Sequence, residues 1–164
     1  MTLLNKKKYI LIFSLIIIAD QISKLWIQSQ FKTDPFKVIT VFRDFFVLRY
    51  VENKGAVWGI FSQTSNNLIP IAITLLSLIA LISVLYFFLK IQSTCALELT
   101  SLSFVIGGAL GNFIDRVYQG YVVDFLDVFI KTHHWPTFNI ADSFISIGVC
   151  LLIISIWRGK CTQF

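Results

Sequence analysis

The chain has 164 residues, of which 56% are hydrophobic, 15% aromatic and only 14% charged. A soluble domain carries about a quarter charged residues, and a core of this size cannot hide so much apolar surface from water. Composition therefore excludes an ordinary soluble globule and makes lipid part of the solvent. The formal charge of +5 does not call for nucleic acid, because most of the basic excess flanks apolar runs, where it orients helices and meets anionic headgroups. The length suits one domain, 1–164.

A helix needs about 20 mostly apolar residues to cross the hydrocarbon core. The first candidate span is 9–27. Lys6-Lys7-Lys8 and the apolar run behind them imitate a secretory signal peptide. That run leads instead into Asp20-Gln-Ile-Ser-Lys24 with no small-x-small site, so a retained span is expected. Residues 36–50 are aromatic and β-branched, which favours strands, and a small sheet on the bilayer surface is expected there. Residues 68–89 contain no charge and form the second span, closed by Lys90. The third, 95–114, is shorter and polar-flanked, with Glu98 expected at the interface. A strand-like or helical piece comes next at 121–129, and the fourth span is 140–157. The expected fold is thus a mainly α membrane protein with four transmembrane helices and a small extracytoplasmic β-platform.

Four spans put both termini on one side. Six Lys/Arg crowd the short flanks of that side, and seven are spread along the two other segments beside six acids. The lysine triplet decides the orientation, with both termini cytoplasmic.

Ionisable residues within spans are costly, by about 2.5–3.5 kcal/mol at a helix centre. Asp20 and Lys24 stand four apart with the acid first, the favourable order for a helical pair, and a mutually neutralising pair accounts for them. Gly107 and Gly111 make a small-xxx-small face for close helix packing. Asn112 and Asp115 share a helix face beyond it, and Arg116 can neutralise Asp115 or reach headgroups. Asp124 lies in an apolar setting after the third span, and Asp142 lies at the entrance to the fourth. Singly they read as a surface acid and a helix cap. Together they offer a pair of carboxylates that share one proton, the equipment of a peptide-bond hydrolase without metal or nucleophile. Sequence spacing does not establish that they meet. Cys95, Cys150 and Cys161 show no metal spacing or paired framework and read as small buried or incidental residues. His133 and His134 are adjacent, which suits a loop better than a metal site.

Five stretches carry a resemblance. They are Asp20-Gln-Ile-Ser-Lys24, Asn53-Lys-Gly-Ala-Val-Trp-Gly59, Gly107-Gly-Ala-Leu-Gly-Asn-Phe-Ile-Asp-Arg116, Val122-Val-Asp-Phe125 and Phe138-Asn-Ile-Ala-Asp-Ser143. In this order, over nearly the whole chain, the sequence resembles the bacterial lipoprotein signal peptidases, or signal peptidase II. Val57 stands where the family often has alanine. The resemblance implies that Asp124 and Asp142 are catalytic aspartates, and that Asp20, Lys24, Asn53, Asn112, Asp115, Arg116 and Asn139 line or brace the site. It implies a loop over the active site at 53–59, no cofactor or metal, and an active site near the outer face of the bacterial cytoplasmic membrane. The implied partners are prolipoproteins whose lipobox cysteine carries diacylglycerol, cut just before that cysteine, with membrane phospholipid and a globomycin-type inhibitor, the protein acting as a monomer.

A proton-coupled transporter, with Asp20, Lys24 and Asp142 as a relay, would spread its acids through the membrane depth. Here Asp20, Asp115, Asp124 and Asp142 map to one end. A non-catalytic assembly factor would tolerate loss of either aspartate. With both termini cytoplasmic, an impermeant thiol reagent on intact cells labels Thr33→Cys and Thr132→Cys beyond the parent chain, and misses Thr2→Cys. Labelling of Thr2→Cys alone would reverse the topology.

Overall fold

The structure is a computed structural model and describes residues 6–55, 68–92 and 94–159. Four helices, α1 (Lys7–Phe31), α2 (Leu68–Lys90), α3 (Ala96–Gln119) and α4 (Ile140–Arg158), are the elements long and apolar enough to cross a membrane among the described residues. At 1.5 Å per residue, α1 is about 37 Å long, more than the roughly 30 Å of hydrocarbon. Leu15 and Ile22 of α1, Leu76 and Ile79 of α2, and Ile153 of α4 all point outward. A soluble protein would bury these side chains, and in a bilayer they meet acyl chains. The chain is a multi-pass membrane protein.

The least apolar helix, α3, is the centre. It packs on α1, α2 and α4, and glycines set how closely. A Cβ on Gly107 would stand 2.9 Å from Cβ of Ile16 in α1, and one on Gly108 would stand 2.3 Å from the Ala141 carbonyl oxygen of α4. Gly107 and Gly111, the small-xxx-small pair, both face α1, the second with a built Cβ 2.5 Å from Asp20 Oδ2, while Gly108 faces α4. Helix α3 runs past residue 114 to Gln119, which keeps Asp115 and Arg116 helical. It stops at Gly120, whose φ of 77° suits glycine and whose N–H donates to the Arg116 carbonyl.

Three side chains at the opposite end of the bundle make contacts that the sequence did not announce. Lys6 is buried, and its ammonium donates to the carbonyls of Phe88, Leu89 (3.0 Å) and Ile91 (2.8 Å), capping the end of α2. Glu98, in the first turn of α3, is buried against the protein and accepts a hydrogen bond from Ser155 of α4. Cys95 is buried, as read, but it is disulfide-bonded, against the expectation of no paired framework, whereas Cys150 is exposed and free. Cys161 lies outside the described residues.

The aromatic segment forms strands, as its composition favours. Strands β1 (Ile39–Phe42), β2 (Phe46–Asn53), β3 (Val122–Ile130) and β4 (His133–His134) make one antiparallel sheet in that order. The choice left open at 121–129 falls to strand. Val123 and Phe125 of β3 pack on Ile27 and Phe31 at the end of α1, which seats the sheet on the bundle.

A single buried cation joins the helices beneath that sheet. The Lys24 ammonium lies 2.8 Å from Asp20 Oδ2 and 2.9 Å from Asp115 Oδ2, and donates to Asn112 Oδ1 at 3.0 Å. Asp20 Oδ1 accepts from the Ala141 N–H of α4, and Asp115 Oδ2 accepts from the Val123 N–H of β3. The expected Asp20–Lys24 pair exists, but the second acid bound by Lys24 makes it the junction of α1, α3, α4 and β3. Lys24→Met leaves two buried carboxylates without their counter-charge, and should cost about 3–5 kcal/mol of stability. Thermal unfolding in detergent micelles measures this. A midpoint equal to that of the unsubstituted protein would mean that amide donors alone satisfy Asp20 and Asp115.

Candidate active site at the sheet end of the bundle

The fold brings Asp124 and Asp142 to the same place by different local routes. Asp124 lies in the middle of β3, opposite Val51 of β2, and is 2% exposed. Asp142 is in the first turn of α4. Asn139 is the extended residue before that helix, and its side chain accepts from the Asp142 N–H at 2.9 Å, while the Asp142 carboxylate accepts from the Asn139 N–H at 3.3 Å. This reciprocal cap fixes Asp142 at the positive end of the helix.

Three asparagine amides then hold the two acids, and two of them connect the pair. Asn112 of α3 donates to Asp142 Oδ1 at 2.7 Å. Asn139 donates to Asp124 Oδ1 at 2.7 Å, and Asn53 at the end of β2 donates to Asp124 Oδ2 at 2.9 Å. The Asn139 amide also reaches Asn112 Oδ1 at 3.1 Å. Lys24 donates to that same Asn112 oxygen, so the Asn112 nitrogen is the atom left to face Asp142. Burial raises the Asp124 pKa to about 7, helped by the negative charge of Asp142 and opposed by the Asn53 and Asn139 hydrogen bonds and by Lys24. The Asp124 carboxyl can therefore hold a proton near neutrality.

Arg116 does not pair with Asp115, whose cation is Lys24. Its guanidinium points to the carbonyls of Asn112 and Gly55, both at 3.4 Å. All nine residues singled out in the sequence thus fall in one connected region. Of the segment expected over the site, Asn53 and Gly55 are there, and 56–59 lie outside the described residues.

A cavity of about 700 Å³ adjoins the two acids. Its polar end holds Asn53, Asn112, Arg116, Asp124 and Asp142. The remainder is mostly apolar and runs between α2 and α4, past Leu76, Ala80 and Val84 on one side and Ile145 on the other. No group of three His, Cys, Asp or Glu suited to a metal ion occurs among the described residues. The arrangement offers two carboxylates with fixed donors, one able to carry a proton, at the head of an apolar channel.

Sequence reading missed one buried acid. Asp127 of β3 is 2% exposed and accepts from Arg49 Nε at 2.7 Å and His134 Nδ1 at 2.8 Å. Its signal was an acid inside Phe-Leu-Asp-Val-Phe, seven residues before a histidine.

Comparison with known proteins gives one consistent answer. Residues 12–158 match the family described as Signal peptidase (SPase) II. A lipoprotein signal peptidase of Francisella tularensis subsp. novicida is 42% identical over 154 residues, covering 93% of this chain and 94% of that protein. One from Clostridium novyi is 37% identical, covering 92% and 97%. A solved structure described as a bacterial membrane enzyme superposes with a TM-score of 0.81 at 35% identity, covering 96% of this chain and 92% of the other. A fold shared over 96% of the chain and a family match that reaches all four helices have one conclusion: the chain belongs to the signal peptidase II family, a family of peptidases.

Proposed function

We propose that the protein is an aspartic endopeptidase that removes signal peptides from diacylglyceryl-modified prolipoproteins, cutting before the lipidated lipobox cysteine. The observation that carries this reading is the pair Asp124 and Asp142, bridged by Asn112 and Asn139 at the polar head of an apolar channel. Asp142, at a helix N-terminus with Asn112 donating to it, suits the carboxylate of a one-proton pair. It takes a proton from water as the water oxygen bonds to the scissile carbonyl carbon. Asp124 hydrogen-bonds the developing oxyanion and then gives its proton to the leaving amine as the C–N bond breaks. The pair titrates as a unit. Asn53, Asn112 and Asn139 orient the carboxylates, Asp20, Lys24 and Asp115 brace them, and Arg116 fixes the chain at Gly55.

The relatives are named lipoprotein signal peptidases, and the channel suits such a substrate. A precursor whose acyl chains and signal helix stay in lipid can lie against apolar walls while its peptide bond meets the acids. The lysine triplet favours cytoplasmic termini in the cytoplasmic membrane, which puts the sheet and site at the outer face among phospholipid headgroups. A globomycin-type cyclic peptide would compete for the same cavity. No cofactor enters the scheme, and a monomer holds the complete site.

The test is cleavage of a purified precursor in detergent or lipid, with and without diacylglyceryl modification. The modified precursor should be cut and the unmodified one left essentially intact, since each buried methylene contributes about 0.8 kcal/mol. Asp124→Asn and Asp142→Asn should each lower turnover at least about a hundredfold. Equal cleavage of both precursor forms would remove the lipid from recognition, and an active Asp variant would remove that residue from the chemistry.

The pH dependence has a definite sign. The Asp124 pKa is raised to about 7, so its proton is present below that value and lost as pH rises through it. The ratio kcat/KM, which reports the free enzyme, should fall above about pH 7 with a slope near one proton. A rate constant flat to high pH would exclude Asp124 as the acid.

A further inference from the structure

Peptide hydrolysis by Asp124 and Asp142 makes no use of Asp127, yet Asp127 is as deeply buried as Asp124. A carboxylate in an aromatic strand is costly unless paired, and two partners hold this one. Arg49 approaches from β2 on one side, with Nε at 2.7 Å. His134 approaches from β4 on the other, with Nδ1 at 2.8 and 3.0 Å from the two carboxylate oxygens. The His134 ring also stacks on Phe129 of β3, with centroids 4.6 Å apart. Three strands are fastened through one side chain.

The path of the chain beyond β3 ties this clamp to the cavity. The chain turns at Lys131, whose φ is 57°, and passes through the two-residue β4. It then runs back along β3 to Asn139, where α4 begins. On the way the Trp135 N–H donates to the Val128 carbonyl at 2.8 Å, and the Phe138 N–H donates to the Leu126 carbonyl at 3.1 Å. Among the described residues, the side-chain hydrogen bond from 131–138 to the rest of the fold is that of His134 to Asp127. Trp135, Thr137 and Phe138 line the cavity beside the two acids.

We infer that Asp127 is a positioning residue for substrate binding: clamped by Arg49 and His134, it fixes the return strand whose Trp135, Thr137 and Phe138 wall the cavity next to Asp124 and Asp142. The inference rests on reading that cavity as the substrate site. Asp124 and Asp142 keep their own supports, since Asn53, Asn112 and Asn139 bond to them without help from Asp127. Loosening the clamp therefore moves a wall and leaves the chemical groups in place.

The experiment is steady-state cleavage of the diacylglyceryl-modified precursor by the full chain in lipid, with amide hydrogen exchange on the same samples. Asp127→Asn and His134→Ala should each raise KM about tenfold, the scale of a lost hydrogen bond to a charged group, with kcat within about twofold. His134→Asn, whose amide nitrogen reaches to about the position of Nδ1, should restore KM to within about twofold of the unsubstituted protein. The double variant Asp127→Asn with Trp135→Ala should be no worse in KM than Trp135→Ala alone, because coupled groups are non-additive. The Trp135 and Phe138 amides should exchange faster in Asp127→Asn, and those of α4 should not. An unchanged KM, a loss confined to kcat, or His134→Asn behaving like His134→Ala would overturn the inference. Should Asp127→Asn fail to fold, the two His134 variants decide the matter. Should the unsubstituted protein not cleave the precursor, the functional reading falls, and unchanged exchange at Trp135 and Phe138 would sink the clamp independently.

Discussion

One ammonium group organises the sheet end of this molecule. Lys24 is almost wholly buried and contacts Asp20, Asp115 and Asn112 at once. An ion in a low-dielectric interior is tolerated when its neighbours replace water on every side, and here each neighbour belongs to, or is bonded to, a different element. Asp20 carries the connection to the start of α4 and Asp115 carries it to the start of β3. Asp142 and Asp124 each lie one residue beyond those contact points, at Ala141 and Val123. The charge network that is costly to bury is thus the device that sets the spacing of the two acids.

The same cation imposes a direction on the amides. A carboxamide has one accepting and one donating end. With Lys24 holding the oxygen of Asn112, its nitrogen is committed to Asp142, and Asn139 is committed in turn to Asp124. Each amide's orientation is set by the one before it, from the ammonium outward to Asp124. That chain explains why polar residues at membrane depth occur here in connected sets. Isolated ones would find no partner in lipid.

Much of this was legible in the sequence, and the reason differs by element. The second span is marked by 22 residues without charge (68–89), a length only a bilayer explains. Strand composition at 36–50 was readable for the same physical reason that β1 and β2 form, namely aromatic and β-branched side chains on a half-covered sheet. The helix ends were less legible, and α3 runs to Gln119 rather than stopping at residue 114, with Asp115 held by Lys24 of α1 and by the Val123 N–H of β3. The meeting of Asp124 and Asp142 could be argued only through family resemblance, since 18 positions separate them and no periodicity links a strand to the next helix. Lys6 on the end of α2, Glu98 with Ser155, and Asp127 with Arg49 all escaped notice for a related cause. Each joins distant segments, and each charged residue, read without its partner, looks like an ordinary interfacial charge.

The composition of α3 also constrains how the protein can be made. As a separate helix it would present Glu98, Asn112, Asp115 and Arg116 to hydrocarbon, a combination that lipid partitioning opposes. Those groups become acceptable only once Lys24 on α1 and Ser155 on α4 are beside them. The stable placement of α3 in lipid therefore depends on its neighbours. A chain interrupted between α1 and α3 would leave Lys24 and Asp20 with each other alone, without the α3 partners that complete the junction.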